Sequence, residues 1–327
     1  MTARLLVSEA LLRSRTHGIR ASAGEVIRET KLVEYTIDGA RIGVAPLRAK
    51  MGRIMDLVID TNCLNSPRLR EFLSASRANR AVLTHETAVE SFRGDVPDGI
   101  VQSWATLRDF PNQVIMLKAP RLIAPIDCSS PGMAKIMVDK GQTAGVKTFS
   151  RVLDEASAGN RVRIAQLQQR HDWSRDHTNR MIAETIPASS QIEEISSAFS
   201  EDEISRIRKQ QALKESTVAT IFEIVDSMAA NAIYDGPIKV RPPLHHHRVN
   251  HFLWRRALVH AIYLLQLIER GAVQRADGKV RNDTIDALLS TYATYFGGIM
   301  TSDRMPEVLH LEARHMLLAV GARIPKS

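Results

Sequence analysis

The chain has 327 residues, 44% hydrophobic and 24% charged, enough to bury a sizeable core and near enough to average composition to exclude a disordered, collagenous or disulfide-rich protein. Lys and Arg outnumber Asp and Glu by 44 to 36, a net charge of +8 that favours a polyanionic partner such as nucleic acid without naming one. Two cysteines, Cys63 and Cys128, cannot build a disulfide framework, and no apolar run approaches the roughly 20 residues a membrane span needs, so the expectation is a cytoplasmic protein with no membrane partner.

Residues 1–54 read as an N-terminal extension. Met1 to Arg20 bears arginines and few acids but lacks an apolar signal-peptide core. A short amphipathic stretch through Leu5, Ala10, Leu11 and Leu12 leads into Val26 to Glu34. Val33 to Ile37 and Ala40 to Val44 flank Asp38-Gly39, which predicts a β-hairpin with a type I′ turn. Met51 and Met55 precede a sequence that reads like a natural protein start, so residues 1–50 are either an added module or an upstream start. The hairpin pattern favours the module.

From Met55 the pattern becomes α/β. Leu57-Val58-Ile59 is a continuous apolar run, as expected of a strand buried on both faces. A helix is predicted over Pro67 to Ala75, then a strand at Ala81 to Leu83 and a helix over Thr87 to Phe92. Strand, helix, strand, helix indicates a parallel sheet with crossover helices. Residues 111–271 read mainly as an α-helical insertion, with a strand-like run at Val114 to Leu117. Loops are expected at Pro120, Pro125 and Pro131-Gly132, and a polar break over Ile186 to Glu203. A long helix is predicted from Val249 to Arg270, ended by Gly271. In the last part, Asn282-Asp283 is expected to cap a helix from Thr284 to Phe296. The strand Ile299 to Thr301 and a helix over Glu307 to Leu318 complete the chain.

Acids fall at the boundaries of these elements. Asp60 closes the first buried strand, Asp303 follows the last, Asp286 sits one turn into the helix before it, and Glu90 lies on the helix after the second strand. In an open parallel sheet, ligands bind at the carboxyl ends of the strands, where Asp60 and Asp303 would both project. Carboxylates gathered there raise one another's pKa values unless a cation is bound. Oxygen ligands without cysteine or an evident histidine suit Mg²⁺ or Mn²⁺ rather than zinc. Such ions activate water and neutralise a phosphodiester's developing charge.

Leu57-Val58-Ile59-Asp60-Thr61-Asn62-Cys63-Leu64 resembles the opening of PIN-domain nucleases, an apolar strand running into Asp-Thr-Asn-x-Leu. Ala81 through Glu90 resembles their second strand and acid-bearing helix. Ile285-Asp286-Ala287-Leu288-Leu289 and the ending Ile299-Met300-Thr301-Ser302-Asp303 resemble the family's later motifs. The likeness covers residues 55–95 and 280–320 and extends to VapC-type toxin ribonucleases. It implies a PIN-like parallel sheet flanked by helices, with 55–110 and 272–327 as the nuclease core and 111–271 as a large insertion. It also implies an endoribonuclease with Asp60, Glu90, Asp286 and Asp303 as catalytic and Mg²⁺- or Mn²⁺-binding acids. Asn62 and Thr301 match its polar helpers. RNA is a more natural substrate than DNA on this likeness, with an antitoxin or other protein partner and a homodimer as further expectations.

Plainer readings stand beside these. Asp60 and Asp303 would serve equally as helix caps, Glu86 competes with Glu90 one turn earlier, and Asp283 reads as an N-cap with a secondary role at the site. His247 and His251 have the i, i+4 spacing of a metal pair but lack a third ligand, so His245 to His251 reads as a polar helix entrance. Arg248, Arg255 and Arg256 are candidates for phosphate contact. Trp254, Tyr292, Tyr295 and Phe296 fall at core spacings. The alternatives to a nuclease are a catalytically inactive PIN-like module for nucleic-acid binding or assembly, and an unrelated α/β protein whose acids are caps.

Overall fold

The computed structural model describes residues 33–37, 40–44, 55–129, 131–183, 188–271 and 277–325. Two N-terminal strands, β1 (Val33–Ile37) and β2 (Ala40–Val44), pair antiparallel with Val33 opposite Val44 and Ile37 opposite Ala40. This is the expected hairpin; its turn residues Asp38-Gly39, the Leu5 to Leu12 stretch and Met51 lie outside the described residues.

Four short strands, β3 (Asp56–Ile59), β4 (Arg80–Leu83), β5 (Val114–Met116) and β6 (Gly298–Met300), form one all-parallel sheet in the order β5-β4-β3-β6. Side chains alternate across it. Leu57, Ile59, Ala81, Leu83, Val114 and Met116 enter one buried cluster. Val58, Val82 and Ile115 enter another on the opposite face. Burial on both faces is why these strands read as unbroken apolar runs. Gly297 permits the close return to β3: its amide donates to the Asp56 carbonyl at 2.8 Å, and a Cβ there would lie 3.0 Å from that oxygen.

Helices fill both layers. α1 (Pro67–Ala75) starts where the Ser66 hydroxyl accepts the Leu69 amide, with Pro67 in the first turn. α2 (His85–Glu90) starts two residues earlier than expected because the Thr84 hydroxyl accepts the Thr87 amide. Short helices α3 (Asp98–Ser103) and α4 (Ala105–Asp109) lead to β5, and α5 (Pro120–Ile123) and α6 (Met133–Met137) lead away from it. The strand β5 belongs to the central sheet, so the parallel unit extends past residue 110 into the segment read as an insertion.

That segment is also not separate from the core. α7 (Lys140–Ser157) and α8 (Arg161–Ala183) bring Val146, Leu153, Ala156 and Leu167 against the first face of the sheet. The predicted polar break contains helix α9 (Ala188–Ser197), whose Ile192 and Ile195 are buried, followed by α10 (Glu201–Arg208) with a Ser200–Glu203 capping box. α11 (Glu215–Tyr234) packs on α12 (Phe252–Glu269). Residues 245–250 form a 3-10 turn, and His251 caps α12 by accepting the Leu253 amide, which supports the polar-entrance reading of the histidines. α12 sends Phe252 and Leu253 to the second face of the sheet and most of its length into a third cluster with α14 (Arg304–Ala319). α13 (Asp277–Ala293) begins earlier than predicted, so Asp283 lies inside it and is not its N-cap. Trp254, Tyr292, Tyr295 and Phe296 are all buried, as expected.

Arg255 is a correction. It was a candidate for phosphate contact, but it is 1% exposed. Its guanidinium donates to the carbonyls of Val249, Thr294 and Arg323 and to the Asn250 side chain, and lies 4.0 Å from the Tyr295 ring centre. It ties α12 to the turn that follows α13 and to the segment after α14. Truncating it strands those acceptors in the interior, at about 1–3 kcal/mol for each that finds no water. Arg255→Met is therefore expected to lose about 3 kcal/mol or more of stability, read as a fall in the urea midpoint; a midpoint equal to that of the unsubstituted protein would refute the role.

Candidate metal centre

The chain runs from β3 to β4 and β5 on one side, then returns to the other side of β3 as β6. A parallel sheet opens a crevice at the carboxyl ends where strand order reverses in this way. Ile59 registers with Met300, which brings Asp60 and Thr301 out side by side at that end. The Asp60 amide donates to the Met300 carbonyl at 3.0 Å. The Thr301 hydroxyl donates to Asp60 Oδ2 at 2.7 Å and accepts the Asp303 amide at 3.0 Å. On the 3-10 turn Thr61–Cys63, Asn62 Nδ2 donates to Asp303 Oδ2 at 2.9 Å and its Oδ1 accepts the Ser302 amide at 3.3 Å. Asn62 and Thr301, the two expected polar helpers, thus lace the two strand ends together.

Glu90 reaches the same place from α2. The Thr87 hydroxyl donates to the Ile59 carbonyl at 3.1 Å, fixing α2 against β3. One turn on, Glu90 Oε2 accepts from the Thr61 hydroxyl at 2.7 Å, while its other oxygen lies 3.7 Å from the Arg93 guanidinium. Asp286 arrives from α13. Asp60, Glu90, Asp286 and Asp303 line one open cleft of about 380 Å³, with Thr61, Asn62 and Arg93 among its other walls. All four acids singled out in the sequence are brought together.

The electrostatics follow from that gathering. Burial pushes the Asp60 carboxyl above its ordinary pKa; the Thr301 hydrogen bond pulls it back, and the Asp303 charge raises it again. The amides of Thr61 and Asn62 lie near enough to lower it further without forming capping hydrogen bonds. Asp286 is pushed up to about 8, first by burial and then by Asp60, Asp283, Asp303 and Glu90. It is therefore protonated at neutral pH unless a cation compensates the cluster. Among the described residues no three His, Cys, Asp or Glu side chains are grouped tightly enough to hold an ion as they stand. In chemical type the oxygen-only donors fit a hard divalent cation.

The plainer readings separate here. Asp303 occupies the N-cap position of α14 but makes no side-chain capping bond. Glu86 is 4% exposed, absent from the cleft lining, and pushed up to about 7 by burial, so the cleft takes Glu90. Asp283 accepts from the Tyr263 hydroxyl at 2.8 Å; it acts on Asp286 through charge from within α13. Arg248 pairs with Asp226 at 2.9 Å, and exposed Arg256 is not part of the cleft lining. Sequence reasoning passed over Thr61 and Arg93. Arg93 stands at i+3 from Glu90, a spacing that would have flagged it.

No family model, curated protein or solved structure matches this chain.

An acid whose folded pKa is raised binds its proton more tightly in the folded state than in the unfolded one. Its contribution therefore weakens stability as pH rises from the unfolded value, 3.8, towards about 8 for Asp286, with a slope of at most about 1.4 kcal/mol per pH unit. In chelator, Asp286→Asn is expected to be more stable than the unsubstituted protein at pH 8, and the gap to narrow as pH falls towards 4. Urea midpoints across that range would show it, and a pH-independent gap would show that Asp286 does not feel the cluster.

Proposed function

We propose that this protein is a metal-dependent endoribonuclease of PIN-like type that hydrolyses phosphodiester bonds in the Asp60–Asp303 cleft. One observation carries the reading: four acids from distant parts of the sequence line a single cleft at the strand-order switch of a parallel sheet, and burial, reinforced by the charge of the others, pushes the pKa of Asp286 up to about 8. Structural caps have no reason to converge, and a cluster that resists its own ionisation is a site that gains from a divalent cation.

Asp60, Glu90, Asp286 and Asp303 would hold Mg²⁺ or Mn²⁺ there. When bound, the ion supplies a polarised phosphoryl oxygen and a water of lowered pKa. The chain's own residues contribute orientation and charge. Thr301 and Asn62 fix the Asp60 and Asp303 carboxylates through short hydrogen bonds, so their oxygens are aimed before any ligand arrives. Thr61 does the same for Glu90. Arg93 sets a guanidinium at the rim, where a phosphate oxygen would meet two parallel N–H donors. RNA is preferred to DNA as substrate on the motif likeness described above.

The purified chain is expected to cleave labelled single-stranded RNA in Mn²⁺ or Mg²⁺, to stop in chelator, and to act less well on DNA. Asp60→Asn should lower cleavage by about 100-fold or more while keeping the thermal midpoint. Cleavage that persists in the variant or in chelator would overturn the assignment. Binding of RNA without cleavage would favour a binding module built on the same cleft.

A further inference from the structure

The carboxyl edge of the sheet continues past Asp60. β4 lies beside β3, so the residues that follow it emerge one strand over, about 4.8 Å away in the pairing direction. There His85 opens α2, the helix whose last residue is Glu90. Five residues of α-helix span about 7.5 Å, a distance one or two nucleotides bridge.

His85 meets two aromatic rings from α8. Its ring stands edge-on to Trp173, with centroids 6.1 Å apart, and to His177 at 5.4 Å. Trp173 and His177, one turn apart on α8, stack at 5.2 Å with 19° between planes. The helix is anchored at this point: the Ser174 hydroxyl donates to the Val89 carbonyl at 2.7 Å, and His171 Nδ1 lies 3.0 Å from the Phe92 carbonyl. The cluster is therefore positioned by the same helix that delivers Glu90 to the cleft.

Trp173 is held but not buried. It is 46% exposed, whereas Trp104 and Trp254 are each 3% exposed. The helix that carries it is basic as a whole, although exposed Asp172 and Asp176 lie beside the ring. α8 carries five arginines against two aspartates, with Arg161, Arg175 and Arg180 exposed. Arg121 lies close enough to His85 for its charge to disfavour a second cation there. An exposed, rigid aromatic ring on an arginine-rich helix that packs against the helix carrying Glu90 matches the two needs of a single strand: a face for a base and cations for its phosphates. A duplex hides its base faces, so an unpaired strand is the fitting occupant.

We propose that Trp173, braced by His177 and His85, is a stacking platform for one unpaired base of a single-stranded nucleic acid whose backbone runs along the carboxyl ends of the strands into the Asp60–Asp303 cleft. This rests on the nuclease reading only for what then happens to the strand. The test compares the full-length protein with Trp173→Ala and Trp173→Phe, using a fluorescein-labelled single-stranded RNA 12-mer. Binding is followed by anisotropy in chelator at low salt and by tryptophan quenching, and cleavage is followed separately in Mn²⁺. The expected result is quenching on binding, a Kd about 10-fold higher for the alanine variant and within about 3-fold for phenylalanine. An abasic 12-mer should bind the unsubstituted protein and the alanine variant equally. Unchanged thermal midpoints show that the exposed site was altered without unfolding. Equal RNA affinity across the three proteins overturns the platform and leaves the nuclease reading standing. Trp173-dependent binding without metal-dependent cleavage supports the platform and removes the nuclease reading. Absence of single-strand binding, or a preference for duplex, overturns the platform.

Discussion

A carboxylate at the end of a buried strand must be held by other groups, because taking it out of water without partners costs several kcal/mol. Asp60 is 6% exposed, and its position depends on the Thr301 hydroxyl, which donates to it from the neighbouring strand. The same hydroxyl accepts the Asp303 amide, and Asn62 reaches back from the Asp60 side to Asp303 and Ser302. This exchange clamps the carboxyl ends of β3 and β6. It brings two like charges near each other and keeps both hydrogen-bonded, which is why neither acid needs to swing away in the absence of a cation.

The clamp needs a rigid base, and four strands of three or four residues do not supply one alone. The rigidity comes from cover. α7 and α8 close one face of the sheet, and α12 and α13 close the other. Three of these four helices lie in the stretch that reads from sequence as an insertion. Arg255 shows how deeply that stretch is built in, since one buried guanidinium bonds to backbone on three separate segments. A buried cation with only neutral acceptors holds position by geometry, and its five donors match carbonyls that no hydrophobic residue would satisfy.

The strands, the α1 boundaries and the strand-end acids Asp60 and Asp303 were legible because each is fixed locally: a doubly buried strand must be apolar, Ser before Pro marks a helix start, and strand-end acids stand out against such runs. The helix-borne Glu90 and Asp286 were found through the motif likeness. What escaped was set by tertiary packing. The segment after Pro187 reads as a polar break, yet Ile192 and Ile195 give α9 a buried stripe because α12 is there to receive it. Asp283 has the composition of an N-cap, but α13 starts at Asp277 and Tyr263 takes its carboxylate. Arg255 and Arg256 are adjacent and identical in type; only the pitch of α12 decides that one is interior and the other exposed. Trp173 drew no notice because an aromatic residue at helical spacing is ordinarily core, and only its 46% exposure marks it out.

Charge acts on this molecule at two ranges. Over distances near a Debye length, about 8 Å in physiological salt, the exposed arginines of α8 present positive charge on the outside. Inside the cleft the sign reverses, because Asp60, Glu90, Asp286 and Asp303 face one another across about 380 Å³. A phosphate guided to the rim by the outer field would be repelled by the inner one unless a cation or protons neutralise the acids. Asp286, pushed up to about 8, supplies one such proton at neutral pH. α8 packs against both α2 and α13, the helices that carry Glu90 and Asp286. The element that bears the basic outer surface thus also braces the two helices that bring acids into the cleft.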